Sequence, residues 1–454
     1  MTRCSTPVFA ATALVLSGCA PALQLQRQPQ IEAISWSEEL AGGEMPADRR
    51  MGLGPALGSP ELSDLIERAL RRNPDLGIAA ARVDQARARL RSARAASLPT
   101  VSLSAGGELI SNRGAARSDQ GDAFAGLDIA YDLDLFGGAA AASRASRDRI
   151  RAAEQDRRAL AVVLEADVAR IFVERATLSR RIALLDRNIA KATELARVIA
   201  VRLDAGEATA VDVGRQNGQL LGLRAERVRL DLALVQTRSA LAILCGEEAP
   251  LFRAEPADLD ALAIPQFDSA DPQILVGARP DVLAAEAGIA AAGGDFASAR
   301  AAFYPRLRLS GGSFLQSASG GPLDALFSLG ASLLAPIFNR GALRGDFEMA
   351  TARQRESVEL YRRTLLAALG ETENARAAVT RAAQREHLVE QLAGEARRTA
   401  ELTRLQYTEG MSDLRDTLDA DERLIAAEEA LAVARQQRID AAIDLFRATG
   451  GRLD

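Results

Sequence analysis

Ala123-Phe124-Ala125-Gly126-Leu127-Asp128-Ile129-Ala130-Tyr131-Asp132-Leu133-Asp134-Leu135 is the stretch that decides the fold. Its odd positions are apolar throughout, while its even positions include Asp128, Asp132 and Asp134. A strand turns alternate side chains to opposite faces, so this segment has one apolar and one acidic face. Just upstream, Val101, Leu103, Ala105 and Leu109 alternate with Thr, Ser and Glu, which predicts a partner strand. The polar run from Ser111 to Asp122 joins the two as a hairpin.

The pattern returns at an offset of about 205 residues. Leu307, Leu309 and Leu315 form one alternating set, followed by Phe327, Leu329, Ala331, Leu333, Ala335 and Ile337. Flanking landmarks recur in the same order. Asn73-Pro74-Asp75-Leu76 matches Arg279-Pro280-Asp281-Val282, and Pro99 matches Pro305. Leu135-Phe136-Gly137 matches Ile337-Phe338-Asn339, Gly206 matches Gly410, and Gly246 matches Gly450. Five matches in order indicate a duplicated unit. The copies span 61–246 (a helix, a strand pair at about 100–135, a helical hairpin at about 139–246) and 273–454 (a helix, strands at about 306–338, a hairpin at about 342–449). An irregular connector with Pro250, Pro256 and Pro265 occupies 247–272.

Each hairpin opens with a helix far longer than the globular average, roughly 139–204 and 342–408, which at 1.5 Å per residue is about 100 Å. Leu178, Ile182, Leu185, Ile189, Ala192, Ala196, Ile199 and Leu203 fall at four-three spacing, and Leu220, Leu223, Leu230, Leu234 and Leu241 answer them in the return helix. That spacing is a coiled-coil seam.

Composition excludes several functions. The net charge is -5, which argues against a nucleic-acid partner. His387 is the only histidine, so a metal site built on several histidines is excluded, and with no assembled nucleophile and base in the sequence no catalytic constellation is expected. Of the cysteines Cys4, Cys19 and Cys245, two belong to a leader, leaving Cys245 without an intrachain disulfide partner.

Residues 1–18 read as a signal peptide, with a basic start, a short apolar run from Pro7 to Leu16, and small residues before the cut. Leu16-Ser17-Gly18-Cys19 resembles a bacterial lipobox, which implies a covalent lipid on Cys19 and a lipid-anchored extended segment over 19–60. No later stretch supplies the 18 apolar residues of a transmembrane helix, so any bilayer crossing falls to the strands. Four strands cannot close a barrel whose smallest bacterial examples have about eight. Several chains must contribute, and periodicity permits eight, twelve or sixteen strands.

The lipobox, the duplicated strand-pair-and-hairpin unit, the turn Tyr407-Thr408-Glu409-Gly410 and the Leu418-Asp419-Ala420 after it resemble the TolC-like outer-membrane efflux factors of the lipid-anchored branch. The resemblance covers nearly the whole mature chain. It implies a homotrimer, with a twelve-stranded outer-membrane β-barrel continuous with an α-helical periplasmic tunnel. It further implies a passive exit duct for drugs and toxic compounds, joined to a periplasmic adaptor and an inner-membrane resistance-nodulation-division pump. On the family pattern Gly206 and Gly410 lie at the closed periplasmic tip, Asp416 and Asp419 form constricting carboxylate rings, and Tyr407 bonds to Asp212 on a neighbouring hairpin. Arg415 stands where some members carry an apolar gate residue. Asp128, Asp132 and Asp134 would face the lumen. A lipid-anchored periplasmic coiled-coil scaffold would also explain the leader and heptads, but not the recurring strands.

Overall fold

The computed structural model describes residues 52–112, 118–254, 257–265, 276–318, 322–338 and 340–452. The signal peptide, Cys19, most of the 19–60 segment and parts of the connector and strand loops lie outside the described residues. A short helix, α1 (Leu53–Ala56), precedes the first copy of the repeat, which opens with α2 (Pro60–Arg72). That copy continues with α3 (Pro74–Ala95), β1 (Thr100–Asn112), β2 (Ser118–Leu133), α4 (Gly138–Asp204) and α5 (Ala210–Leu244). The second runs α6 (Pro280–Ala301), β3 (Arg306–Ala318), β4 (Asp324–Leu334), α7 (Arg340–Thr408) and α8 (Leu414–Ala448).

Both copies lead to the strands by a helix that starts the same way, with proline at its first helical position. Pro74 and Pro280 lack the N–H that would go unpaired there. The preceding residue in each case reaches across to the end of its own return helix. Asn73 Nδ2 donates to the Leu244 carbonyl at 2.9 Å, and Arg279 Nη1 donates to the Ala448 carbonyl at 3.0 Å. The two landmark motifs are thus a repeated stitch, tying the helix that leads to the strands onto the helix that returns from the tip.

The strands form one antiparallel meander in the order β1-β2-β3-β4. Its register makes the alternation coherent across all four. Leu103 faces Leu127, Tyr131 faces Leu309, and Leu309 faces Ala331, so the apolar positions share one side. That side is exposed: Leu127 is 50% accessible, Phe327 82% and Leu329 93%. Water against such side chains would cost on the order of 1.5–3 kcal/mol each. Among the described residues β1 pairs only with β2, and β4 only with β3, so each leaves one ladder edge open.

Two details of the strands go beyond the alternation. β2 ends at Leu133, so Asp134 leaves the strand; its Oδ2 accepts from the Ala140 N–H at 2.8 Å in the first turn of α4. A carboxylate there satisfies an orphan donor and faces the positive end of the helix dipole. The polar face is also not uniformly acidic. Arg306 and Arg308 share it with Asp128, Asp132 and Asp324, and Arg308 stands 3.7 Å from Asp132.

The helices α4 and α7 run 67 and 69 residues. Leu178, Leu185 and Leu230 bury the α4–α5 seam, flanked by Ile182, Ile189, Leu223 and Leu234, as the heptads require. A wider core forms where α1, α2, the end of α5 and the connector pack on mid-α4 and α8, around Leu57, Leu65, Phe172, Leu241, Phe252 and Phe446. Cys245 lies in it, and burial pushes its thiol up to about 11, so it is a packing residue rather than a nucleophile. Among the described residues no helix is long and apolar enough to cross a membrane.

Candidate functional site

The distal turns of the two hairpins are built alike. Gly206 and Gly410 sit at φ 79° and 73°, in the left-handed region where a side chain is strained. Each closes a helix with a bond back over the glycine: Glu207 N–H to the Arg202 carbonyl, and Met411 N–H to the Gln406 carbonyl, both at 2.8 Å. Three residues beyond each glycine comes an N-cap, Thr209 in one turn and Asp413 in the other. Three further on come Asp212 and Asp416, at the same helical position, so these two acids are repeat equivalents.

Their surroundings differ. Asp212 Oδ2 accepts from the Thr209 amide at 2.9 Å and from the Thr209 hydroxyl at 2.6 Å, while the Asp212 amide donates back to Thr209 Oγ1. This capping box holds the Asp212 carboxyl below the usual range, first through the hydroxyl and then through the amide. Asp416 donates its amide to Asp413 Oδ1 at 2.9 Å, leaving its carboxylate exposed with only Ser412 Oγ at 3.4 Å. Asp419 pairs with Arg423 at 2.8 Å along the exposed face of α8. Two residues further, Asp421 holds Arg404 with both carboxylate oxygens within 2.9 Å, tying α7 to α8.

Within one chain Tyr407 and Asp212 do not bond to each other. The Tyr407 ring instead lies under the Arg202 guanidinium, 4.6 Å from its centroid, which links the last turns of α4 and α7. Arg415 is exposed and enters no ion pair among the described residues. The sequence reading missed Thr209, Asp413 and Arg202. The two caps were legible as Thr and Asp three residues before an acid, just after a turn glycine. Arg202 carried no signal, because its contact joins segments about 200 residues apart. His387 lies on the α7 surface beside Gln391, and no group of acids, histidines or cysteines able to hold a metal occurs among the described residues.

At the other end of the molecule, Asp128 accepts from Ser104 Oγ at 2.9 Å on the polar side of the sheet, with Asp132 near Arg308. An open antiparallel sheet with an exposed apolar face, continued by two very long helical hairpins, defines an outer-membrane channel of the efflux class. The family model for the outer membrane efflux protein matches residues 65–247 and 272–451, and the chain belongs to that family, the TolC-like channels that serve resistance-nodulation-division systems. It is 33% identical over 426 residues to the pyoverdine export outer membrane protein OpmQ of Pseudomonas aeruginosa, covering 91% of this chain and 90% of that one. It is 27% identical to the probable outer membrane lipoprotein SilC of Salmonella typhimurium, covering 97% of each. The solved structure of the outer-membrane channel OprN matches with a TM-score of 0.81 at 26% identity, over 91% of this chain and 95% of that chain. The protein is thus an outer-membrane efflux channel, the exit component of a tripartite system.

Proposed function

We propose that three copies close their sheets edge to edge into a twelve-stranded barrel whose apolar side meets lipid, with the hairpins converging on a periplasmic tip that stays shut at rest. The observation that supports this reading is the sheet itself: apolar on one exposed side, polar on the other, and open at both edges. Exported small molecules would pass through without chemistry in this chain, delivered by an inner-membrane pump through a periplasmic adaptor that meets the hairpins. Cys19 would carry a covalent lipid, in keeping with the lipobox and with a relative described as an outer membrane lipoprotein.

At the tip, Asp416 and Asp419 lie at i and i+3 on α8, so three chains stack them as two carboxylate rings. Tyr407, its ring held by Arg202, offers its hydroxyl to the Asp212 of an adjoining chain, and Arg415 supplies a counter-charge between chains. Since Arg306 and Arg308 offset only part of the strand charge, and lie at the helix end of the sheet, the cation preference of the pore is set mainly by the rings at the tip. In planar bilayers the parent should select cations, and Asp416→Ala with Asp419→Ala should remove most of that preference. Tyr407→Phe with Arg415→Ala should raise the step conductance. A parent channel that prefers anions at neutral pH, or a Tyr407 and Arg415 double variant that conducts like the parent, contradicts the tip assignment.

A further inference from the structure

The polar side of the sheet carries two phenylalanines that the alternation does not call for. Phe124 stands opposite Gly106 and Phe314 opposite Gly126, on the same side as Asp128. Both rings lie down along the sheet rather than standing away from it. A Cβ on Gly106 would come within 2.8 Å of the Phe124 ring, and a Cβ on Gly312 within 2.5 Å of the Phe314 ring, which also covers Gly126. Three glycines therefore make room for two flat rings. Phe124 remains 45% accessible, and Phe314 is half-buried with Leu326 opposite it on β4.

Carboxylates flank the pair. Asp128 follows Gly126 by two residues on the same strand face, and Asp324 lies opposite Gln316, itself the cross-strand partner of Phe124. The two arginines of this side, Arg306 and Arg308, sit six or more residues from Phe314 along β3, toward the helices. The surface around the rings thus combines open π-faces with negative charge. A planar cation satisfies both, through stacking and cation–π attraction on the ring and Coulomb attraction to the acids.

We propose that Phe124 and Phe314, laid flat over Gly106, Gly126 and Gly312 beside Asp128 and Asp324, form a stacking site for planar organic cations on the channel wall. This rests on the duct reading, which turns the polar side of the sheet inward. In a trimer the site repeats three times at one level, nearer the strand loops than the helices, so that it holds cargo after the tunnel and before release.

The test uses the full-length protein in liposomes with ethidium monoazide, a planar cation that cross-links on illumination, followed by peptide mapping. Step conductance and trimer mass of each sample certify a folded channel. Labelling should concentrate on β2 and β3 around Phe124 and Phe314 and be competed by excess ethidium. It should fall at least five-fold in Phe124→Leu with Phe314→Leu, which keeps the glycines covered but removes the π-faces, and in each single variant should fall by a smaller factor. Asp324→Asn with Asp128→Asn should lower it two- to five-fold. A conducting trimer labelled instead on the apolar side, at Phe327 or Leu329, or labelled equally in the leucine variants, overturns the site while the duct stands. A trimer that fails to conduct even with the tip unlocked by Tyr407→Phe and Arg415→Ala overturns the duct reading and the site with it.

Discussion

Asp440 illustrates how a partly buried acid in α8 records the cost of packing two hairpins together. Burial pushes its carboxyl up to about 6, with Arg170 pulling the other way and Asp444 and Glu174 adding to the rise. An acid raised in the folded state costs stability above that value, and the cost disappears as pH falls from about 6 toward the ordinary carboxylate range. Asp440→Asn should therefore stabilise the protein at pH 8 by about 2–3 kcal/mol, and the gain over the parent should vanish below about pH 4. Thermal unfolding of both proteins across that range checks this. Nothing in the sequence marks Asp440, because its environment is set by α4 residues some 270 positions away. Asp212 and Asp416 were legible as tip acids by resemblance, and their equivalence follows from equal spacing after Gly206 and Gly410, yet the difference in their surroundings, Asp212 held by Thr209 and Asp416 left open, emerged only from the turn geometry.

Among the elements, strands and seams were the most legible because their signal is local. A period of two fixes which residues share a sheet face, and the four-three spacing of Leu178, Ile182 and Leu185 fixes a seam, whatever the tertiary context. The end of β2 was less so: Asp134 continues the alternation but is captured by the first turn of α4, a competition that a pattern count cannot register. The alternation of β2 showed the aspartates but not the arginines beside them, since Arg306 and Arg308 come from the other copy and meet the aspartates only through β2–β3 pairing. The landmark motifs were visible as repeats but not as stitches. Arg279 is 9% exposed and serves Asp281, Glu371 and the Ala448 carbonyl together. Arg279→Ala leaves Asp281 and Glu371, both partly exposed, without their shared cation and leaves the Ala448 carbonyl to Thr372 Oγ1 alone, and should cost about 2–3 kcal/mol. Asn73→Ala, which loses one neutral bond and a cap, should cost about 1–2 kcal/mol. A pair of unfolding midpoints in the reverse order would refute the stitch.

For the whole molecule, anchoring and closure are separable. Replacing Cys19 by Ser removes the acceptor for lipid, but a barrel with an apolar outer face holds the bilayer by itself, and one or two acyl chains add only modestly. The Cys19→Ser protein should therefore remain in the membrane fraction after a high-salt or alkaline wash; complete release would indicate that the lipid is the sole anchor. The copy number was the one architectural quantity that periodicity left open, since two, three or four sets of four strands all close a ring on paper, and only the family resemblance chose three. The free edges of β1 and β4 make closure obligatory. Native mass spectrometry of the mature protein extracted in mild detergent tests this most directly: the account predicts three copies with no populated monomer, and a stable monomer that keeps its strand signal would contradict it.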